Sequence, residues 1–204
     1  EETLQNIAKG IQEATPFKAI VFSMVEPTSG ILKRVHAAGV SPEAWDELRS
    51  RTQPWSAIQH LIKPEFKIGN LYFVPADQQP VIPEEMHSVV LLPATERDAP
   101  DLWNPDDFLL IPLYNTEHEP IGMISVDDPR DGRRPDRPTL EALELFGTQA
   151  SLMVENHLHL TAMEERLRES GSGSTIDLPL HMERLQAGME IAEVAAHQTD
   201  PQVL

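Results

Sequence analysis

Two apolar runs near the middle of the chain limit its fold most strongly, because only four residues separate them. The first run, "DFLLIPLYN", covers residues 107–115, and the second, "PIGMISVDD", covers residues 120–128 after the polar connection "TEHE". Runs of this length and apolar content are typical of strands, and so short a connection favours antiparallel pairing. The sequence therefore predicts an antiparallel sheet with this pair among its strands.

Other segments extend the predicted sheet. The run "FKAIVFSMVEP" begins at Phe17, and the turn cluster "PTSG" separates it from "ILKRVHAAG", which begins at Ile31. This arrangement predicts a hairpin. The segment "FKIGNLYFVP", which ends at Pro75, also has strand character. We therefore predict about five or six strands.

Three segments predict helices in the first third of the chain. Apolar residues recur at helical spacing before Pro16, which indicates an amphipathic helix. A second helix is predicted at "SPEAWDELRSR", where Ser41 can cap free N–H groups and Pro42 suits the first helical position. A short third helix, "SAIQHLI", follows Trp55. Residues 76–106, in contrast, are rich in proline and acids, as is typical of lids, binding loops or disordered segments.

A long helix is predicted from about residue 138 to about residue 169, where Gly147 is the only internal helix breaker. With this helix the predicted fold class is α+β. It is an antiparallel five- or six-stranded sheet with helices on both faces and a long C-terminal connector helix.

An apolar stripe follows this long helix at alternating spacings of three and four residues, interrupted by a charge at Glu164. The first half of the stripe could pack on the sheet, and this alternative stays open. Beyond about His157 the helix outlasts the expected globular body, so its apolar residues need a partner helix. The candidate dimer-helix residues are Leu143, Phe146, Ala150, Met153, His157, Leu160 and Leu167.

The chain changes character after the long helix. The segment "SGSGSTIDLPL", residues 170–180, predicts a flexible linker. Residues 181–204 predict an amphipathic helix that begins a following domain. The chain opens on "EETLQ" without an initiator methionine or a signal peptide, so we expect it to be a piece of a longer protein.

Charge and cysteine content exclude several classes of protein. The formal net charge is −17, so the surface repels nucleic acid and anionic membranes, and we expect neither as a partner. No apolar stretch approaches the roughly 20 residues that span a bilayer, so we expect no membrane insertion. The chain has no cysteine, which removes thiol nucleophiles, Cys-ligated metals and any Cys-linked chromophore. We expect a reducing, cytoplasmic location.

The acid cluster in "VDDPRDGRRP", residues 126–135, suggests either chemistry or a turn. The residues from Asp127 onward do not match an EF-hand loop, because the third and twelfth positions, which should supply oxygen ligands, are Pro129 and Pro138. A hydrolase that used Asp127 and Asp128 would need a pocket that separates their pKa values, and a proline-rich turn does not favour one. We interpret the aspartates as turn and cap residues, and we predict no catalytic or metal-binding residue.

Three segments resemble the GAF domains of bacterial sensor histidine kinases and related signalling proteins. They are "NIAKGIQEATPFKAIVFSMVEP", "WNPDDFLLIPLYNTEHEPIGMISVDDP" and "LEALELFGTQASLMVENHLHL". The resemblance covers residues 1–160, and "RLQAGMEIAEVAAHQTDPQVL" is similar to the lead-in helix of a second GAF domain. It implies a small-molecule pocket between the sheet and the long middle loop, and dimerisation through the terminal helices. It supplies no ligand, so the cofactor is unknown.

The resemblance places a ligand cavity in the middle half of the chain, where aromatic residues cluster. The aromatic pocket candidates are Trp55, Tyr72 and Trp103, although core packing is the default interpretation for Tyr72. His60 and His87 are further candidates, although for each the interpretation as a structural histidine is favoured.

The main functional hypothesis is a non-catalytic sensory or regulatory domain. It would dimerise through its terminal helices and relay a ligand- or domain-induced conformational change along the long helix. The alternative is a ligand-free structural dimerisation spacer, and a carboxylate-based hydrolase is the least favoured hypothesis. The expected partners are a second copy of the chain, neighbouring domains of the same chain and an unidentified small molecule.

Overall fold

The computed structural model describes residues 2–79, 99 and 101–171. The chain divides into a first compact unit, Glu1–His157, and a second unit, Leu158–Leu204. The predicted linker from residue 172 onward and the predicted final helix lie outside the described residues.

Seven antiparallel strands form one sheet in the described part of the first unit. The strands are β1 (Phe17–Val25), β2 (Ile31–Ala38), β3 (Gln53–Pro54), β4 (Lys67–Ile68), β5 (Leu71–Val74), β6 (Phe108–Tyr114) and β7 (Pro120–Pro129). Their order across the sheet is β3-β2-β1-β7-β6-β5-β4. The predicted fold class and the two central hairpins are therefore confirmed, while two very short strands raise the strand count above the predicted five or six.

The segment "FKIGNLYFVP" forms a hairpin where the sequence predicts a single strand. Lys67 pairs with Tyr72 and Ile68 with Leu71, so β4 and β5 are joined by a two-residue turn. Gly69 in this turn has a φ of +60°, a conformation that favours glycine. Because apolar residues lie on both sides of the turn, an analysis of periodicity alone does not detect it.

Four α-helices accompany the sheet in the described residues. They are α1 (Glu2–Ala14), α2 (Pro42–Ser50), α3 (Trp55–Ile58) and α4 (Arg137–Gly171), and Pro64–Phe66 and Ala76–Gln78 are short 3-10 turns. At the start of α2 the Ser41 hydroxyl accepts the Ala44 N–H at 3.2 Å, as predicted. The third helix is shorter than predicted, because the chain turns after Ile58.

Helices α1 and α4 cover one face of the sheet, which we call the helix face. A Cβ atom on Gly147 of α4 would lie 2.5 Å from Ile111 Cγ2 of β6, and one on Gly10 of α1 would lie 2.8 Å from Phe146 Cε1 of α4. Both glycines thus permit close packing, of α4 on the sheet and of α1 on α4.

Helix α3 packs against the opposite face, which we call the α3 face. A buried apolar cluster lies there, made of Leu32, Trp55, Ile58, Leu61, Phe66, Val74, Leu110 and Met123. The register agrees with this assignment, since Leu110 and Met123 point to the same side of their paired strands. The domain therefore has a core on each side of its sheet.

Candidate functional site

The α3 face carries two of the predicted pocket residues. Trp55 is 8% exposed within the buried cluster, and Tyr72 packs against the same cluster. The Trp55 ring also lies edge-on to Tyr114, with ring centroids 6.4 Å apart. Burial raises the pKa of the Tyr114 hydroxyl, and the neighbouring Tyr72 raises it further. The structure thus brings Trp55 and Tyr72 together and adds Tyr114, which the sequence did not single out.

The remaining pocket candidates lie elsewhere. Trp103 is 1% exposed and packs edge-on against Phe17, the first residue of β1, at a centroid distance of 5.3 Å. His60 is exposed just after α3, and His87 lies outside the described residues. Among the four candidates that the structure describes, Trp55 and Tyr72 share one cluster.

A hydrogen bond between an indole and a carboxylate lies beside Phe17. Trp103 Nε1 donates to Asp127 Oδ1 at 2.8 Å, and the backbone N–H of Asp128 donates to the same oxygen at 2.7 Å. Burial raises the pKa of the Asp127 carboxyl to about 6, although both hydrogen bonds oppose the rise. Asp127 therefore titrates much closer to neutral pH than an ordinary aspartate.

The next two aspartates of the acid cluster have structural partners. Asp128, at a φ of +52°, places its Oδ2 2.7 Å from Lys18 Nζ. Asp131 Oδ1 accepts the N–H of Arg133 at 3.1 Å, which closes a local turn. Both contacts agree with the interpretation of these residues as turn formers.

The same corner of the chain caps two helices. Arg130 Nη1 donates to the carbonyl oxygens of Gln12 at 2.8 Å and Thr15 at 3.2 Å, at the end of α1. Asp136 Oδ1 accepts the hydroxyl of Thr139 at 2.6 Å and its N–H at 3.0 Å, at the start of α4. These two bonds lower the pKa of the Asp136 carboxyl. The corner after β7 thus fixes the end of α1 and the beginning of α4.

A buried ion pair organises the chain before β6. The Asp107 side chain is fully buried, and Arg134 donates to it from Nε and Nη2, each at 3.0 Å. The carboxylate also accepts the N–H groups of Ala76 at 2.9 Å and Asn104 at 3.0 Å. The Arg134 guanidinium lies over the Phe73 ring, 5.3 Å from its centroid. This network joins three separate segments of the chain.

Two carboxylates of α4 bind turns of the sheet. Glu144 Oε1 accepts the N–H of Asn70, in the β4–β5 turn, at 3.0 Å. Glu155, which is 9% exposed, accepts the N–H of Thr116 at 3.0 Å and its hydroxyl at 2.7 Å, in the β6–β7 turn. Because the two glutamates are eleven residues apart on α4, the helix is attached to the sheet at two separated points.

A groove of about 480 Å³ runs between α1 and α4 on the surface of the first unit. It is lined by Thr3, Asn6, Ile7, Phe146, Gln149, Leu152 and Met153. Leu152 and Met153 are 54% and 44% exposed, so the groove presents apolar side chains to solvent.

The structure divides the predicted stripe of α4 into buried and exposed residues. Leu143 and Ala150 are completely buried inside the first unit, so they are not available to a second chain. This agrees with the alternative that the first half of the stripe packs on the sheet. Other residues of the stripe are at least partly exposed: Phe146, Met153 and His157 in the first unit, and Leu160 and Leu167 in the second.

Two polar residues of the α3 face were also missed by the sequence analysis. Arg34 of β2 pairs with Ser23 of β1, and Ser23 pairs with Met123, so the three side chains lie on one face. Strand alternation could have placed Arg34 on this face, because Arg34 lies two residues after the buried Leu32 on the same strand.

The described ranges hold no group of three or more His, Asp or Glu side chains arranged to bind a metal ion. Across those same ranges, every helix is too short or too polar to cross a membrane.

A helix pair on one face of an antiparallel sheet and a short helix over an aromatic cluster on the other define an α+β domain. The family model of the GAF domain matches residues 1–154, so the chain belongs to the GAF family, whose members are generally sensory or regulatory. A search of curated proteins found no match.

Solved structures share this fold at low sequence identity. The GAF domain/HD domain protein from Geobacter sulfurreducens is 12% identical with a TM-score of 0.57, over 78% of this chain and 93% of that chain. Residues 122 to 287 of a methyl-accepting chemotaxis protein are 19% identical with a TM-score of 0.53, over 78% and 90%. A domain assigned to a two-component sensor histidine kinase of Sinorhizobium meliloti 1021 is 12% identical with a TM-score of 0.52, over 80% and 97%. At these identities the likeness concerns the fold alone.

Proposed function

We propose that this chain is a non-catalytic sensory or regulatory domain of a signalling protein, which dimerises through its terminal helices and relays a conformational signal along α4. A small molecule on the α3 face, or a neighbouring domain of the same chain, shifts the balance between two states of the sheet. Trp55 and Tyr72 are the first candidates to contact such a ligand, and His60, His87 and Trp103 remain further candidates.

The attachment of α4 to the sheet carries this proposal. Glu144 and Glu155 hold the turns of two hairpins whose strands, β5 and β6, contribute to the α3 face. A ligand that moves these strands therefore also moves the partners of α4. Hydrogen bonds to charged groups contribute about 1.5–3 kcal/mol each, which is enough to bias a two-state element.

The groove between α1 and α4 supports association with a second copy. Leu152 and Met153 are half exposed at its edge, while Leu160 and Leu167 of the second unit are exposed by 61% and 70%. The residues Phe146, Met153, Leu160 and Leu167 follow one another at intervals of seven in the sequence, the spacing of a coiled-coil seam. Full burial of one such side chain contributes roughly 1.5–3 kcal/mol.

Analytical ultracentrifugation of charged variants tests the dimer. We expect Met153→Glu and Leu160→Glu, and likewise Leu167→Glu, to shift the chain towards monomer, because each places a carboxylate in an apolar contact. At about 0.2 M sodium chloride, Thr148→Glu is the control, since Thr148 is also exposed on α4 and lies on another side of the helix. If all three of these glutamate variants associate like the unaltered chain, the helices do not form the dimer contact.

A structural dimerisation spacer is the second candidate function. The observation in its favour is that the groove lies between α1 and α4, on the other side of the sheet from the α3 face. Native mass spectrometry of freshly purified protein separates the two candidates. A reproducible extra mass that is lost on denaturation supports the sensor, and its absence at full dimerisation supports the spacer.

A further inference from the structure

The exposed side of α4 carries two polar side chains in line with its apolar ones. A coiled-coil repeat has two inward positions, called a and d, and d follows a by three residues. If Phe146 is taken as position a, every a residue of α4 is apolar, whereas two of the three d residues are side-chain amides. The a residues are Phe146, Met153, Leu160 and Leu167, and the d residues are Gln149, Asn156 and Met163. We call these seven residues the α4 seam.

The α4 seam lies on a different side of the helix from the residues that pack on the sheet. Leu143, Ala150 and Val154 of α4 are buried in the first unit. From Gln149 onward, in contrast, every residue of the α4 seam is exposed, in the first unit and in the second. The sheet therefore does not explain why apolar and amide side chains alternate in this pattern.

The two amides distinguish between the directions in which a pair of these helices can run. In a parallel pair in register, position a of one copy faces position a of the other, and d faces d. Gln149 then faces Gln149 and Asn156 faces Asn156, so each amide meets a group that both donates and accepts hydrogen bonds. In an antiparallel pair a faces d, so each amide would face an apolar side chain and lose hydration without a partner. Only the parallel pair satisfies both amides.

The register and the flanking residues favour the same arrangement. A parallel pair displaced by one repeat would place Asn156 of one copy against Met163 of the other, so the in-register pair alone matches amide with amide at both levels. Beside a parallel seam, the residue before position a of one copy lies near position e of the other copy. These residues are His159 and Glu164, and an imidazole N–H can donate to a carboxylate.

We propose that α4 pairs with α4 of a second copy as a parallel, in-register coiled coil whose direction and register are set by Gln149 and Asn156. A helix of another sequence would need amides of its own at both levels, whereas a second copy supplies them by identity. The inference rests on the proposed function, because it specifies the geometry of the dimer through which the signal is relayed.

Disulfide cross-linking tests the direction without background, because the chain has no cysteine. Met153→Cys and Leu167→Cys are made separately in the full 204-residue chain and oxidised at concentrations where both are dimeric. In a parallel, in-register pair each new cysteine faces its own copy, within the Cα separation of about 4.4–6.8 Å that a disulfide needs. The two positions are 14 residues apart, or about 21 Å along the helix. An antiparallel pair can therefore bring at most one of them to its own copy.

We expect both cysteine variants to cross-link at least roughly tenfold faster than Thr148→Cys. Thr148→Cys is the matched control, because Thr148 is exposed on α4 but lies outside the α4 seam. Equal rates at all three positions would indicate random collision and overturn the proposal.

Replacing both amides by leucine tests their role. Because leucine extends the apolar seam, Gln149→Leu/Asn156→Leu should associate at least roughly tenfold more tightly but lose the preference for one direction. Leu167→Cys added to this variant should therefore cross-link more slowly per dimer than Leu167→Cys alone. Thr148→Leu, combined with Leu167→Cys, is the control and should cross-link like Leu167→Cys alone. Unchanged affinity and cross-linking after loss of both amides would overturn the role assigned to them.

The outcomes separate this inference from the proposed function. A chain that sediments as a dimer but cross-links at only one or neither of the two positions supports the proposed dimer and overturns the parallel seam. A monomeric chain overturns both. Cross-linking at both positions, in a chain whose α4 shows no change in hydrogen exchange on ligand binding, would support the parallel seam and contradict the relay.

Discussion

At the scale of single residues, Asp127 makes the stability of the domain depend on pH. Its folded-state pKa is about 6, against an ordinary value of 3.8. The folded chain therefore binds this proton more tightly than the unfolded chain. The contribution of Asp127 to the free energy of unfolding is most favourable below about pH 4. It is lost as the pH rises through about 6, and the loss amounts to at most roughly 3 kcal/mol.

We predict that Asp127→Asn removes this loss. The amide oxygen can still accept the Trp103 N–H, but it carries no charge that burial disfavours. Urea unfolding of both proteins between about pH 4 and pH 7 should show the variant gaining stability relative to the unaltered chain as the pH rises. Asp131→Asn, in the exposed turn, is the control and should change little. A difference between Asp127→Asn and the unaltered chain that does not vary with pH would contradict the assignment.

The buried pair of Asp107 and Arg134 gives a second prediction at this scale. Arg134→Gln leaves the fully buried Asp107 carboxylate without its cation, which should lower the free energy of unfolding by about 3 kcal/mol. Arg133→Gln is the adjacent control, because Arg133 and its partner Asp101 are both 65% exposed and 3.9 Å apart. It should cost less than about 1 kcal/mol. Equal denaturation midpoints for the two variants would refute this difference.

The sequence identified residues whose roles depend on local turn and cap chemistry, and missed those whose roles depend on distant partners. Ser41 and the turn-forming Asp131 follow from short-range patterns. Arg34 and Ser23 become neighbours only when β2 pairs with β1, and no local sequence pattern predicts that pairing. Asp127 likewise acquires its indole partner, Trp103, from 24 residues away in the chain.

At the scale of elements, apolar periodicity predicted the hairpins, the first helix and the long last helix. It failed where an element spans only about one period of its pattern. β4 has two residues and α3 has four, so neither completes a recognisable pattern. The side of α4 that packs on the sheet was also ambiguous, because Leu143 and the exposed Leu145 are equally apolar in the sequence.

The contact between α4 and the β6–β7 turn predicts a local change in stability. Glu155→Ala leaves the N–H and the hydroxyl of Thr116 without this acceptor, at a cost of about 1–3 kcal/mol. Hydrogen exchange should show the Thr116 amide exchanging roughly tenfold faster or more.

Glu141→Ala is the control for this measurement, since Glu141 is exposed on α4 and pairs along the helix with Arg137 at 2.8 Å. It should leave the β6–β7 turn unchanged. If Thr116 exchanges at the same rate in both variants, α4 does not hold this turn and the relay loses one of its two attachments.

At the scale of the whole molecule, charge and apolar surface act against each other. Each chain carries a formal charge of −17, so two copies repel one another over a distance set by the salt concentration. In the proposed dimer, apolar burial at the groove between α1 and α4 opposes this repulsion, and salt does not screen it. The repulsion can be predicted from composition alone. The groove cannot, because it depends on the close approach of two helices at Gly10 and Phe146.

We therefore predict that the proposed dimer tightens as salt is added. Sedimentation equilibrium at about 0.02 M and about 0.2 M sodium chloride should show the dissociation constant falling, because the Debye length shortens from roughly 20 Å to about 7 Å. Thr148→Glu adds one negative charge to each copy away from the groove, so its dimer should be weaker at low salt and should match the unaltered chain at high salt. A dissociation constant that rises with salt would indicate that ion pairs between the chains, rather than the apolar residues of the groove, hold the dimer together.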